Sequence, residues 1–191
     1  RLKTEAHALI ALCDLARVFD AQTTVRRLSS LADAAIGAAV SFLLRDAHGQ
    51  GRIALPDPSE PQRGSGWILL AMGKLGAHEL NFSSDIDLIS FFDPQAEAIT
   101  DPYEANELFA RLTRRLVRIL QDRTEDGYVF RTDLRLRPDP GSTPLAIPVG
   151  AALHYYESRG QNWERAAMIK ARPVAGDLAA GQALLAELKP Y

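Results

Sequence analysis

The chain is 191 residues long, 47% apolar and 24% charged, with a formal net charge of −2. That is enough apolar chain to bury a core, while a charge so near neutral provides no dominant basic face and argues against nucleic-acid binding. A single cysteine, Cys13, rules out an internal disulfide, and the alanine-rich run 31–44 is broken by Asp33, Gly37 and Ser41, so neither a signal peptide nor a membrane span is expected.

Residues 1–62 read as a helical N-terminal segment and linker. Val25, Leu28, Ala32, Ala35, Ala39 and Phe42 recur at three- and four-residue steps, with Thr23 or Thr24 available as the cap. From Gly49 to Gly66 there are three prolines and four glycines, which marks a loop. Trp67 to Met72 is a continuous apolar run and predicts a buried strand. It stops at Gly73-Lys74-Leu75-Gly76, where glycine permits a tight turn, and His78-Glu79-Leu80 predicts the start of a short helix. A P-loop is excluded, because six residues separate Gly66 from Gly73 and Leu75 stands where Ser or Thr is required. Asp101-Pro102-Tyr103-Glu104 predicts a capped helix start. That helix runs to about Gln121, burying Leu108, Leu112, Leu116 and Ile119 and presenting Arg111, Arg115 and Arg118 to solvent. A strand over 129–137, a proline-rich turn from Pro138 to Pro148, helices near 150–159 and 162–172, and a last helix from Gly176-Asp177 complete the reading. The divisions are 1–62, a core at 63–148 and a helical C-terminal extension at 149–191.

The chemistry concentrates in Ser84-Asp85-Ile86-Asp87-Leu88. On a strand the side-chain period is two, so Asp85 and Asp87 share a face while Ile86 and Leu88 share the other. Like charges held this close either share a proton or take a divalent cation. On an extended strand 129–137, Arg131, Asp133, Arg135 and Arg137 likewise share a face. One acid among three cations suits a metal-bridged phosphate, and equally a solvated ion-pair surface. Trp163, Ala167 and Lys170 fall on one helix face, with Trp163 read as core and Lys170 within reach of a phosphate; a solvated helix end accounts for Lys170 and Arg172 as well. Glu79 fits either a supporting role at the site or an ordinary first-turn acid. His7, His48, His78 and His154 lack metal-ligand spacing and read as surface or packing residues. There is no Ser/His/Asp or Cys/His arrangement, which fits chemistry carried by metal ions.

A strand, a glycine turn, ten residues between Lys74 and Asp85, Asp-Ile-Asp on the next strand and a lone Asp on a third resemble the nucleotidyltransferase fold of the DNA polymerase β superfamily, an α/β (α+β) sheet with helical flanks. The segments Met72 to Ile89, Phe130 to Pro138 and Asn162 to Arg172 resemble the glutamine synthetase adenylyltransferase/adenylyl-removing enzyme family, with the likeness running from about Trp67 to Asp177. Ala77 stands where that family usually has Gly, and Ser90 where it usually has an aromatic or apolar residue. The family carries two such domains, the first removing AMP from a tyrosine of glutamine synthetase and the second adding it. Leu153 to Lys170 is more similar to the first.

The resemblance implies that Asp85, Asp87 and Asp133 hold two Mg²⁺ or Mn²⁺ ions, roughly 3.5–4 Å apart in sites of this kind. It implies that Gly73, Lys74 and Ser84 cradle phosphate, that Arg135 and Arg137 neutralise developing charge, and that Lys170 contributes a phosphate contact. The reaction is then phosphorolysis of the adenylyl group to ADP. Adenylylation from ATP is the first alternative, and a silent nucleotide-sensing or docking module the second. The implied partners are glutamine synthetase, the PII signalling protein, inorganic phosphate and ADP/ATP, in the cytoplasm, with no nucleic acid and no membrane. A start at Arg1 in place of Met reads as an excised piece of a longer protein.

Overall fold

Asp20 opens the longest helix of the computed structural model, which describes residues 1–188. Helix α1 (Leu2–Leu15) precedes it, and in α2 (Ala21–Gly49) the Asp20 carboxylate accepts the Thr23 amide at 2.7 Å. Asp20 is therefore the cap, in place of Thr23 or Thr24; Thr24 is buried and donates to Asp14 at 2.9 Å, tying α2 to α1. The inward stripe follows steps of four, Ile36-Val40-Leu44 and Ala39-Leu43, so Phe42 is rotated out and is 57% exposed.

Strand β1 (Trp67–Ala71), a single helical turn α3 (Gly73–Gly76) and strand β2 (Ile86–Phe92) follow, with β1 and β2 antiparallel. The helical turn begins at Gly73, ahead of the expected start at His78, whose φ is +58° and which lies in the following loop. Helix α4 (Ala105–Gln121) starts three residues after Pro102, because Asp101 accepts the Tyr103 amide at 2.8 Å and closes a separate turn first. It buries Leu108, Leu112, Leu116 and Leu120, whereas Ile119 is 40% exposed. Arg115 is not simply solvated, since it pairs with Asp46 of α2.

The expected long strand over 129–137 is corrected. Only β3 (Thr132–Asp133) pairs, parallel to the start of β2. Asp133 accepts the Arg135 amide at 2.8 Å, and this side-chain-to-backbone bond curls the chain out of the sheet. Strand β4 (Ala146–Pro148) rejoins the same edge of β2 further along, before helices α5 (Val149–Ser158) and α6 (Asn162–Met168). The expected helix 162–172 stops at Met168, and β5 (Arg172–Gly176) is a strand antiparallel to β1, followed by helix α7 (Leu178–Leu188). Pro173 is tolerated because β5 is an edge strand. The C-terminal segment is thus not purely helical and supplies part of the sheet, whose order is β3-β2-β1-β5 with β4 also on β2.

Period-two alternation divides the core. Trp67, Leu69 and Ala71 face α2 and α4, while Ile68, Leu70 and Met72 pack with Tyr156 of α5 and Leu184 of α7. Helix α2 is long and apolar enough by length and composition to cross a membrane, yet its inner face packs against α4 and β5. Each polar break in its apolar run has an internal use. Asp33 pairs with Arg172 at 2.7 Å, and the Gln62 amide donates to the Gly37 carbonyl at 3.0 Å and to Ser41 at 2.7 Å. Ser90 is equally well used: it accepts the Trp67 indole N–H at 2.9 Å and bonds Thr113 at 2.8 Å inside the sheet–helix layer.

At Gly76 a Cβ would lie 2.0 Å from the Lys170 carbonyl oxygen and 2.7 Å from that of Ala71. The absence of a side chain is what lets the α3 turn seat against the backbone entering β5. Gly76→Ala is therefore expected to destabilise the chain by at least about 2 kcal/mol, whereas Gly150→Ala, with nothing near the added methyl, stays within roughly 1 kcal/mol of the parent. Urea unfolding of the two variants measures both.

Candidate active site

The site forms where β2 emerges from beneath its covering helices. Asp85 and Asp87 lie on the face that continues into buried Ile89 and Phe91, and exposure rises from Ile89 through half-buried Asp87 to exposed Asp85. In the parallel β2–β3 register Asp87 is the direct neighbour of Asp133. Burial pushes the Asp87 carboxyl above its ordinary range, and the nearby charges of Asp133 and Asp85 push it further; Arg135 and Lys74 pull the other way. Asp133 is held below its ordinary range, chiefly by hydrogen bonds from Arg135.

Each acid is engaged differently. The Arg135 guanidinium grips both oxygens of Asp133, with Nε at 3.1 Å from Oδ1 and 2.9 Å from Oδ2, while Nη2 donates to Oδ2. Arg131 donates Nε–H to Oδ1 of Asp85 and Nη2–H to the Ser83 carbonyl at 2.8 Å. Gly73, with φ +53°, lies directly against Asp87: a Cβ there would be 2.8 Å from Oδ2. Its lack of a side chain brings the turn up to the acid. Lys74 extends from that turn, its Nζ 3.5 Å from the Ser84 hydroxyl, which in turn donates to Asn81 at 2.8 Å.

Of the residues singled out in the sequence, Gly73, Lys74, Ser84, Asp85, Asp87, Asp133 and Arg135 come together. Arg137 does not join them. It donates to the carbonyls of Leu134 at 2.9 Å and Pro140 at 2.8 Å, stapling its own loop, because the chain has already curled away at Asp133. Lys170 pairs with Glu79 at 2.9 Å at the side of the glycine turn. Arg172 grips the turn from below, donating to the carbonyls of Leu75 at 3.0 Å and Gly76 at 3.2 Å as well as to Asp33. Trp163 is 49% exposed and is not core. Sequence reading assigned no role to Arg131 as the partner of Asp85, nor to Asn81, whose side chain accepts the Ser83 amide at 3.1 Å and shapes the loop before β2. The Asn-x-Ser spacing is the signal that marks such a turn.

Among the described residues no group of three or more His, Cys, Asp or Glu side chains is placed so that it could hold a metal ion in this arrangement. The donor chemistry nevertheless fits a hard divalent cation. Three carboxylates occupy one neighbourhood, and their mutual repulsion is balanced in this arrangement by two guanidinium groups.

The raised Asp87 pKa has a consequence for stability. A carboxyl that holds its proton more tightly in the folded chain costs stability as pH rises from the unfolded value through the folded one, and the cost persists above that window. Asp87→Asn removes it. The variant is expected to be more stable than the parent at neutral pH, with a Tm gain of roughly 2–4 °C for each kcal/mol relieved, and the gap should close below the ordinary carboxylate range. Thermal unfolding from acid to neutral pH in metal-free buffer tests this; a gap that widens on acidification contradicts it.

Comparison with known proteins places the geometry in context. The family model described as Glutamate-ammonia ligase adenylyltransferase matches residues 1–187. A protein of Mesorhizobium japonicum is 77% identical over 189 residues, covering 99% of this chain and 19% of its own length. A protein of Brucella suis biovar 1 is 72% identical over 191 residues, 100% of this chain and 19% of its own length. One from Agrobacterium fabrum is 65% identical over 181 residues, 95% of this chain and 18% of its own length. Each is named bifunctional glutamine synthetase adenylyltransferase/adenylyl-removing enzyme, and the chain spans under a fifth of their length. With nearly every residue inside the family model, the chain belongs to the glutamate-ammonia ligase adenylyltransferase family.

Proposed function

We propose that this chain is a nucleotidyltransferase domain with a DNA polymerase β-like sheet, and that it removes AMP from an adenylylated tyrosine of glutamine synthetase by phosphorolysis, releasing ADP. The observation that carries the reading is the register pair Asp87–Asp133 with Asp85 beside it and the cations Lys74 and Arg135 at its rim, in a member of this family. An oxygen of inorganic phosphate attacks the adenylyl phosphorus in line, the bond from phosphorus to the tyrosine oxygen breaks, and the phenolate takes up a proton. Two Mg²⁺ or Mn²⁺ ions held by Asp85, Asp87 and Asp133 would supply Lewis-acid stabilisation of the phosphoryl oxygens. Lys74 and Arg135 bind the attacking phosphate, Ser84, whose hydroxyl proton goes to Asn81, accepts from the Lys74 ammonium and steadies it, and Gly73 keeps the acid's flank clear for close approach.

The segment around Asn162-Trp163-Glu164-Arg165 does a structural job. Glu164 is 2% exposed, accepts the Tyr155 hydroxyl at 3.0 Å and the Gln161 amide at 2.8 Å, and so locks α5 to α6. The direction of reaction rests on the likeness of Leu153 to Lys170 to the removing domain of the family, and Lys74 and Arg135 supply cations that would seat the attacking phosphate. In this reading the cell partners are glutamine synthetase and the PII protein, in the cytoplasm. The test runs two substrate pairs in parallel on this chain and on the longer protein. Adenylylated glutamine synthetase with phosphate and Mg²⁺ is expected to yield ADP and unmodified enzyme. AMP incorporation from ATP without phosphate-dependent ADP release would reverse the direction, and loss of both activities in the longer protein would leave a docking module.

Asp85→Asn, Asp87→Asn and Asp133→Asn are each expected to lower the rate by several orders of magnitude while the fold persists. Activity within tenfold of the parent would remove that residue from the site. Lys74→Ala is expected to weaken phosphate binding at low salt and much less at high salt, since an exposed ammonium acts as a screened point charge. Calorimetric titration at two ionic strengths reads this out, and an unchanged affinity would assign Lys74 to the solvated surface.

A further inference from the structure

The two guanidinium contacts at the acids are not equivalent. Arg131 takes one oxygen of Asp85 and is tied at a second point to the Ser83 carbonyl, so Oδ2 of Asp85 has no hydrogen-bond partner among the described residues. Arg135 takes both oxygens of Asp133, and its guanidinium bonds nothing else among the described residues. The Arg135 side chain is 84% exposed, whereas that of Asp133 is 18% exposed. Asp85 can therefore accept a cation at Oδ2 without losing Arg131, whereas at Asp133 a cation competes with Arg135 for both oxygens. A pair in which one partner is this exposed is weak, and a divalent cation among three carboxylates is a stronger competitor for the same oxygens.

We propose that Arg135 is an exchangeable counter-ion: it neutralises Asp133 while the site is empty of metal, is displaced when a divalent cation binds, and then turns its guanidinium to a phosphate oxygen. Arg131, in contrast, stays in place as the positioning residue of Asp85. This rests on the metal-dependent reading above and adds an order of events to it. Metal binding and the creation of a phosphate contact become one step, so phosphate is held tightly only after the cation has arrived. The exchange is local, because the Arg135 backbone amide also bonds Asp133 at 2.8 Å and fixes the pivot about which the side chain swings.

Arginine Nε–Hε signals of the whole chain, followed by NMR during a Mg²⁺ titration, test this directly. Expected is a hydrogen-bonded Arg135 signal in metal-free buffer that moves toward the free-guanidinium position as Mg²⁺ saturates, while the Arg131 signal stays. A second measurement uses Mn²⁺ alone as probe. Arg135→Gln is expected to bind Mn²⁺ about threefold to fivefold more tightly than the parent, because the competitor is gone. Lys74→Gln, which loses a charge but no carboxylate contact, should gain less. In the presence of Mg²⁺, inorganic phosphate should bind Arg135→Gln more weakly than the parent. Mg²⁺ binding that Asp87→Asn abolishes, with the Arg135 signal unmoved, would overturn the exchange and leave the metal site standing. Equal Mn²⁺ gains in the two Gln variants would overturn it too. Absence of any Mg²⁺ binding would overturn both the exchange and the metal site.

Discussion

The constraint on which the site depends is the parallel pairing of β2 with a two-residue β3, which sets Asp87 beside Asp133 while the strand period sets Asp85 on the same side. No apolar core gains from this arrangement, and the Asp87 carboxyl is pushed above its ordinary range by its burial there and then by the charges of Asp133 and Asp85. The surroundings read as responses to that repulsion. Gly73 gives the acid room, Lys74 and Arg135 offset its charge, and Arg131 fixes the approach to β2 by holding Asp85 and the Ser83 carbonyl together. Perturbed carboxyls gathered at the mouth of a sheet are a physical argument for function that stands beside family membership without depending on it.

The acids were legible because strand geometry is simple: two residues apart means one face. The apolar runs Trp67–Ala71 and Ile86–Phe92 were legible for the same reason. Less of the arginine pattern could be read. Alternation over Arg131, Asp133, Arg135 and Arg137 holds only if the chain stays extended, and the Asp133 side chain ends the extension by accepting the Arg135 amide. Period-two reasoning therefore placed Arg135 near the acids by the wrong route and misplaced Arg137. Strand β5 was hidden by its composition: Arg-Pro-Val-Ala-Gly carries little β-signal, and only pairing along β1 makes it a strand. Phe42 and Ile119 failed by one residue each, since a stripe drawn at steps of three and four fixes a helix face more firmly than its last member.

Polar residues inside this fold act as connectors. Ser90, at a position expected to be apolar, satisfies the Trp67 indole and Thr113, so a small hydroxyl does the work of joining β1, β2 and α4. Gln62, in a loop that composition marked only as a boundary, donates to Gly37 and Ser41 in α2 and accepts the Gly176 amide at 2.7 Å, joining the first helical layer to the far edge of the sheet. Such bonds specify register between elements distant in sequence, and no local pattern announces them. They also explain why one core runs through the segments that composition separates at 62 and 148.

The glycine turn shows how such connections reach the chemistry. Arg172 ties the carbonyls of Leu75 and Gly76 to Asp33 of α2, and Gly76 is pressed against the Lys170 carbonyl, so the backbone that carries Gly73 and Lys74 is held from beneath by β5 and α2. Above that base, Lys74 and Arg135 are exposed cations with few contacts. Fixed carboxylates and fixed backbone beneath movable charges form a division of labour suited to a phosphoryl site. On the proposed function, the atoms that must be placed accurately belong to the sheet and its clamped turn, while the charges that would follow a migrating phosphate are carried by exposed side chains. Substitutions at Arg172 or Asp33 therefore act on the site through the position of the turn, whereas those at Lys74 remove an exposed charge and those at Arg135 remove both a charge and the grip on Asp133.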